Sequence, residues 1–160
     1  GPIPGYGVDE TVRRLKARFG YVFAGEHGYP TIVKLDTLDR LRLFAGFTVD
    51  WCIMPHGPAK STGFRFGCDG KSIGYATDFS EITSEMVALF KGVDLLVCDC
   101  LRREEHPTHA HLAMALELGK RCGVRKIVLT HLDKSMDYKT LCGEVPKHAI
   151  VGYDGLEVTP

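Results

Sequence analysis

The chain has 160 residues, 44% of them hydrophobic, which suffices for one buried core and is too short to argue for two ordinary domains. Lys and Arg together number 20, as do Asp and Glu, so the formal charge is zero and no basic excess marks a long polyanion such as duplex DNA as the partner. No apolar run approaches the ~20 residues that cross a bilayer, and Gly1 to Gly7 lack the basic and apolar regions of a signal peptide. A soluble cytoplasmic protein with a small substrate is expected.

From Asp9 to Arg18, Val12 and Leu15 among Arg and Lys predict a short amphipathic helix, with Asp9 as N-cap and Gly20 just beyond its end. Phe19 to Pro30 is aromatic and glycine-rich with no clean period, and reads as a loop over the core or a pocket. Strands are predicted at Thr31 to Leu35, Leu41 to Phe44, Phe47 to Met54, Phe64 to Phe66 and Ser72 to Ala76, the last two joined through Asp69-Gly70. The polar turn Pro58 to Thr62, flanked by Gly57 and Gly63, reads first as a strand connection and second as a turn that approaches a substrate.

Helical spacing follows from Ser84 to Phe90, with Thr83 or Ser84 as cap, then a continuous apolar strand from Leu95 to Cys98. A longer helix, His111 to Cys122, ends at Gly123 and feeds a strand, Lys126 to Thr130, completing a strand-helix-strand unit. A short helix near Met136 to Leu141 and a hairpin around Asp154-Gly155, spanning Ile150 to Val158, close the chain. Strands first and strand-helix alternation later predict an α/β layered fold with functional residues on loops at one sheet edge.

Six cysteines are present, and Cys52, Cys98 and Cys142 stand in apolar contexts that suit small buried side chains rather than disulfides. Cys98-Asp99-Cys100 is no C-x-x-C pair, and strand alternation sends Asp99 to the face opposite both thiols, which argues against a thiolate zinc site.

Three predicted strands run into a residue able to bind a metal: Ile53-Met54-Pro55-His56-Gly57, Ile73-Gly74-Tyr75-Ala76-Thr77-Asp78 and Ile127-Val128-Leu129-Thr130-His131. Imidazole and carboxylate together suit zinc, manganese or iron, and a carboxylate can bridge two cations, which makes Asp78 the natural bridge. Taken singly, His56 is also read as a turn residue, Asp78 as an N-cap and His131 as a hydrogen-bonded core histidine.

Pro-His-Gly at His56, Tyr-Ala-Thr-Asp at Asp78, His-Pro-Thr-His at His109 and Leu-Thr-His at His131 occur in the order and context of metallo-β-lactamase-fold hydrolases. Over almost its whole length the chain resembles the branch containing the cyclic-phosphate phosphodiesterases of phosphonate breakdown, with the tRNA 3′-processing endonuclease more distant. Segments 18–23, 131–138 and 152–156 are similar to that branch as well. The resemblance implies a metallo-β-lactamase fold, an αββα sandwich, incomplete at the N-terminus. It implies that His56 binds one metal, Asp78 bridges, His131 binds a second, and His109 is the catalytic histidine. The family's His-x-His-x-Asp-His motif does not occur in this sequence, and none of His27, His106, His111 and His148 stands in a comparable spacing with an aspartate. The chain is therefore expected to be the C-terminal portion of a longer domain, unable to complete a two-metal site alone.

The activity so implied is hydrolysis of a small cyclic phosphate or nucleotide-like phosphodiester by a hydroxide activated by two divalent ions, zinc or manganese, with iron also suited. Asp99 either orients an imidazole or caps the following turn. Arg102, in a mixed charge run, and Ser135, after His131, are candidates to meet the substrate phosphate. A non-catalytic binding or regulatory module on the same scaffold is the alternative. A nucleotide-binding domain ranks last, because no glycine-rich phosphate loop occurs, and neutral charge disfavours a nucleic-acid substrate. A homodimer is the commonest closed assembly, with no interface located by the sequence.

Overall fold

The computed structural model describes residues 1–25 and 28–160; His27 lies outside the described residues. They form two compact units, Gly1–Phe44 and Ala45–Pro160.

In the first unit, β1 (Ile3–Gly7) pairs in parallel with β2 (Val33–Thr37), in register from Ile3 opposite Val33 to Gly7 opposite Thr37. A parallel pair needs a crossover, and α1 (Asp9–Arg18) with α2 (Gly20–Ala24) supplies it. Helix α1 has its predicted bounds, with acids in its first turn and bases in its last, as the helix dipole favours. Its cap differs from expectation: Val8 occupies that position, and Asp9 instead pairs with Arg13 one turn on, at 3.1 Å. The stretch read as a loop from Phe19 contains α2, too short for a helical period to show, ended by Gly25 at φ +69°. The strand expected at Leu41 is shorter: a 3₁₀ turn covers Leu38–Arg40, and β3 is only Leu43–Phe44.

In the second unit, β4 (Phe47–His56), β5 (Ala59–Cys68), β6 (Lys71–Ala76), β7 (Leu95–Asp99), β8 (Lys126–Thr130) and β9 (Ala149–Val151) lie side by side in chain order. Pairing is antiparallel from β4 through β6 and parallel from β6 through β9. Asp69 and Gly70, both at positive φ, make the tight turn predicted between β5 and β6. Most of the supposed polar turn 58–62 is strand, since His56 already faces Ala59 across a tight turn. Because β4 and β6 to β9 point the same way, their C-terminal ends share one edge of the sheet, where open α/β sheets place their ligands.

Three helices accompany these strands: α3 (Ser84–Phe90), α4 (Leu112–Cys122) and α5 (Tyr138–Glu144). The Thr83 hydroxyl accepts from the Met86 N–H to start α3, as expected, and Gly123 at φ +65° ends α4. Phe90 is fully buried in a core with Met54, Leu96, Leu118, Ile127 and Leu129, a burial worth roughly 1.5–3 kcal/mol. Its ring needs glycines beneath it. A Cβ on Gly63 or Gly74 would fall 2.9 or 2.8 Å from Phe90.

At the opposite edge, the buried Asp94 carboxylate accepts from the Ser72 N–H at 2.9 Å and pairs with Arg125, with Lys71 at 3.9 Å. The expected C-terminal hairpin does not form: β9 joins the sheet parallel to β8, and Asp154-Gly155 makes only a turn. All six cysteines are free thiols. Cys98 is buried as expected, whereas Cys52 is half-buried and Cys142 exposed, because it lies on a face of α5 turned from the core residue Leu141. No helix among the described residues is long and apolar enough to cross a membrane.

Candidate metal centre

His56 ends β4, Asp78 follows β6, Asp99 ends β7 and His131 follows β8, so four of the singled-out residues arrive together at the shared C-terminal edge. His109 comes from the loop between β7 and α4. Donor atoms of Asp78, Asp99, His109 and His131 all lie within 4.8 Å of one another. The His56 ring centroid is 4.8 Å from that of His109, as is the His131 centroid.

Asp78 and His131 both hold left-handed backbone, at φ +62°. For a residue with a Cβ this costs on the order of 1–2 kcal/mol, a strain that local structure must maintain. Stitching of the Asp78 loop to the β4–β5 hairpin does so here. The Ser61 hydroxyl donates to the Asp78 carbonyl at 2.7 Å, the Ser80 N–H to the Pro55 carbonyl at 2.8 Å, and the Gly57 N–H to the Ser80 hydroxyl at 3.2 Å.

Asp99 is fully buried. A carboxylate without solvent must find its partners in the protein. Its Oδ2 meets His109 Nδ1 at 3.1 Å and accepts the backbone N–H groups of Phe79 at 3.3 Å and Ala110 at 3.2 Å; its Oδ1 meets His131 Nδ1 at 3.2 Å. Asp99 thus contacts two imidazoles as well as two backbone N–H groups. Cys98 and Cys100 on either side enter the core, as alternation requires. Burial pushes the Cys100 thiol up to about 12, with the Asp99 charge adding to the effect.

The hydrogen-bond partners also fix the histidine tautomers. An ionised carboxylate and a peptide carbonyl can only accept, so His109 and His131 donate Nδ1–H to Asp99, and His56 donates Nδ1–H to the Thr108 carbonyl at 2.7 Å. Each of the three therefore keeps Nε2 for other work. Imidazoles oriented through one nitrogen, beside the half-exposed carboxylate of Asp78, form a donor set that fits a borderline divalent cation.

Two sequence candidates are engaged elsewhere. The Arg102 guanidinium turns back onto its own loop, donating to the carbonyls of Glu105 at 2.6 Å and Glu104 at 3.4 Å. The Ser135 hydroxyl donates to Asp133 at 2.6 Å. Two residues at the site were given no role by the sequence reading, His106 and Thr108, and Gly57 was read only as flanking a turn. A Cβ on Gly57, at φ +58°, would lie 2.5 Å from Thr108 Cγ2. The His106 ring centroid is 5.2 Å from that of His109, and burial together with the Arg102 charge holds its pKa below the usual histidine value. His-Pro-Thr-His was the available signal, read only for its last residue.

The model of the beta-lactamase superfamily domain matches residues 1–132, and the chain belongs to that family. Solved structures agree with its fold. A new diphosphatase from the PhnP family is 25% identical, over 98% of this chain and 57% of that one, at a TM-score of 0.82. The metallo-beta-lactamase fold protein YhfI from Bacillus subtilis is 19% identical, over 97% of this chain and 64% of that one, at 0.78. Zn(2+)-bound PqqB from Methylobacterium extorquens is 18% identical, over 97% and 64%, at 0.71. The chain thus spans less than two thirds of the length of each of these structures. No curated protein matches by sequence. The mixed α/β architecture is that of the metallo-β-lactamase fold and its relatives of the diphosphatase kind.

Proposed function

We propose that this chain supplies the catalytic edge of a metal-dependent phosphodiesterase acting on a small cyclic phosphate or nucleotide-like ester. The observation that carries the reading is the convergence of Asp78, Asp99, His109 and His131 within 4.8 Å, with His56 alongside. The family is one of metal-dependent hydrolases, and the diphosphatase match supports phosphoester chemistry.

In this reading His56, Asp78 and His131 would contribute ligands to divalent ions, zinc or manganese. When bound, such ions lower the pKa of water and neutralise charge on phosphoryl oxygens. The protein's own side chains do the rest. His56 and His131 present Nε2 because Thr108 and Asp99 occupy Nδ1. His109, its Nδ1 proton on buried Asp99, faces the reaction with Nε2. As the water oxygen bonds to phosphorus and loses a proton to solvent, the ester P–O bond breaks. An imidazolium at His109 gives its Nε2 proton to the departing oxygen and is left neutral, with Asp99 stabilising the charged form beforehand.

Arg102 has guanidinium nitrogens engaged with its own loop, so substrate contact falls chiefly to His109. The test is hydrolysis of a chromogenic phosphodiester and of a nucleoside 2′,3′-cyclic phosphate by a full-length protein that contains this chain, with added zinc or manganese. The reading expects metal-dependent turnover that His109→Ala lowers about 10²–10⁴-fold while metal binding persists. Metal-independent turnover, or turnover indifferent to His109→Ala, overturns it.

A further inference from the structure

We infer that His106 is a positioning residue which, by holding Thr108, sets the tautomer and aim of His56. The inference rests on the proposed reading of His56 as a ligand and adds a residue outside the ligand set. Thr108 N–H donates to His106 Nδ1 at 3.3 Å, and the Thr108 hydroxyl meets the same nitrogen at 3.2 Å. The carbonyl of the same residue accepts Nδ1–H of His56 at 2.7 Å. One residue is therefore gripped by an imidazole on its donor side and grips another on its acceptor side.

The tautomers are opposite in consequence. His106 Nδ1 must be a lone pair to accept a peptide N–H, so its proton lies on Nε2. His56 Nδ1 must carry its proton to meet a carbonyl, so its lone pair lies on Nε2. His56 is thereby made a ligand and His106 is not. Local geometry favours the grip: Pro107 fixes its own φ and biases His106 toward extended backbone, so the His106 side chain can turn back to the N–H two residues on. Thr108 Cγ2 fills the space a Cβ would take on Gly57, which locks the peptide against the residue that follows His56.

The test compares His106→Leu, His106→Gln and His106→Asn in the 160-residue chain. Asn places an amide oxygen where it accepts the N–H two residues on, as in an Asx turn, whereas Gln carries its oxygen one bond too far. One readout is ¹⁵N NMR of the metal-free protein, with His56 signals identified by their loss in His56→Gln. The other is calorimetric affinity for zinc and manganese. Leu and Gln at 106 are expected to give a mixed His56 tautomer and to weaken binding about 10–100-fold, the usual effect of losing a partner behind a ligand. Asn is expected to keep the parent tautomer and stay within about threefold in affinity. An unchanged His56 spectrum in both Leu and Gln variants overturns the inference, as does failure of Asn to restore what they lose. If the parent binds no divalent ion, the proposed function falls, and the metal-free spectra still decide the role of His106. Gln keeps polarity and bulk, so it separates positioning from any unfolding in the Leu variant.

Discussion

Asp99 Oδ2 receives the Nδ1 proton of His109 at 3.1 Å from a position with no solvent exposure, so the imidazole is held by a charge that water does not screen. An amide cannot serve both nitrogens that this carboxylate serves. Asp99→Asn is therefore expected to preserve the fold while lowering turnover about 10²–10⁴-fold, with one of His109 and His131 driven to the other tautomer. Phosphodiester kinetics and histidine ¹⁵N shifts check this. Full activity in Asp99→Asn would exclude an orienting role.

Asp99→Ala is a different experiment. It leaves the N–H groups of Phe79 and Ala110 without their acceptor. An unsatisfied buried group costs about 1–3 kcal/mol, so denaturant unfolding is expected to show a loss of at least that size. Equal stability of the Ala and Asn variants would mean that solvent reaches the site.

Two glycine substitutions separate fold from function. Gly57→Ala adds a Cβ 2.5 Å from Thr108 Cγ2 at φ +58°, and Gly74→Ala adds one 2.8 Å from Leu96 and Phe90. Each is expected to cost about 1–3 kcal/mol of stability through strain or overpacking. Only Gly57→Ala disturbs the peptide that orients His56, so it alone is expected to weaken divalent-ion binding. Calorimetry and chemical denaturation on the pair test the distinction.

At the far edge of the sheet, the Ser72 N–H, and then Arg125 and Lys71, hold the Asp94 carboxyl below its ordinary value of 3.8 despite the opposing effect of burial. A lowered folded-state pKa contributes stability that is present above the unfolded value and lost as pH falls through the folded one. The stability difference between the parent and Asp94→Asn is thus expected to be constant near neutrality and to shrink below about pH 4. Denaturation curves from pH 7 to pH 3 measure it. A difference that stays constant to pH 3 would show that the carboxylate's charge contributes nothing.

The residues that meet at the shared sheet edge were legible because each of His56, Asp78 and His131 ends or follows a strand with a plain pattern, as in the apolar run before His131 and the Tyr-Ala-Thr before Asp78. Helices α1 and α3 were legible from apolar spacing and, for α3, from Thr83. Strand β1 was not, since Ile-Pro-Gly-Tyr-Gly carries the residues that usually argue against a strand. Nor was β9, because three residues of parallel pairing leave too little pattern to distinguish them from a hairpin arm. The hold on His56 was invisible for a simpler reason: its partner is the Thr108 carbonyl, a group every residue possesses. Arg102 illustrates the converse, where residue type suggested a phosphate and the local backbone supplied nearer partners.

Divalent-ion binding to the chain and to Asp78→Asn, measured by calorimetry with elemental analysis of the purified proteins, tests the central claim most directly. The account predicts saturable zinc or manganese binding that Asp78→Asn weakens by more than the roughly 10–100-fold expected for an outer partner, with the fold unchanged. Absence of saturable binding, or equal affinity in Asp78→Asn, would contradict it.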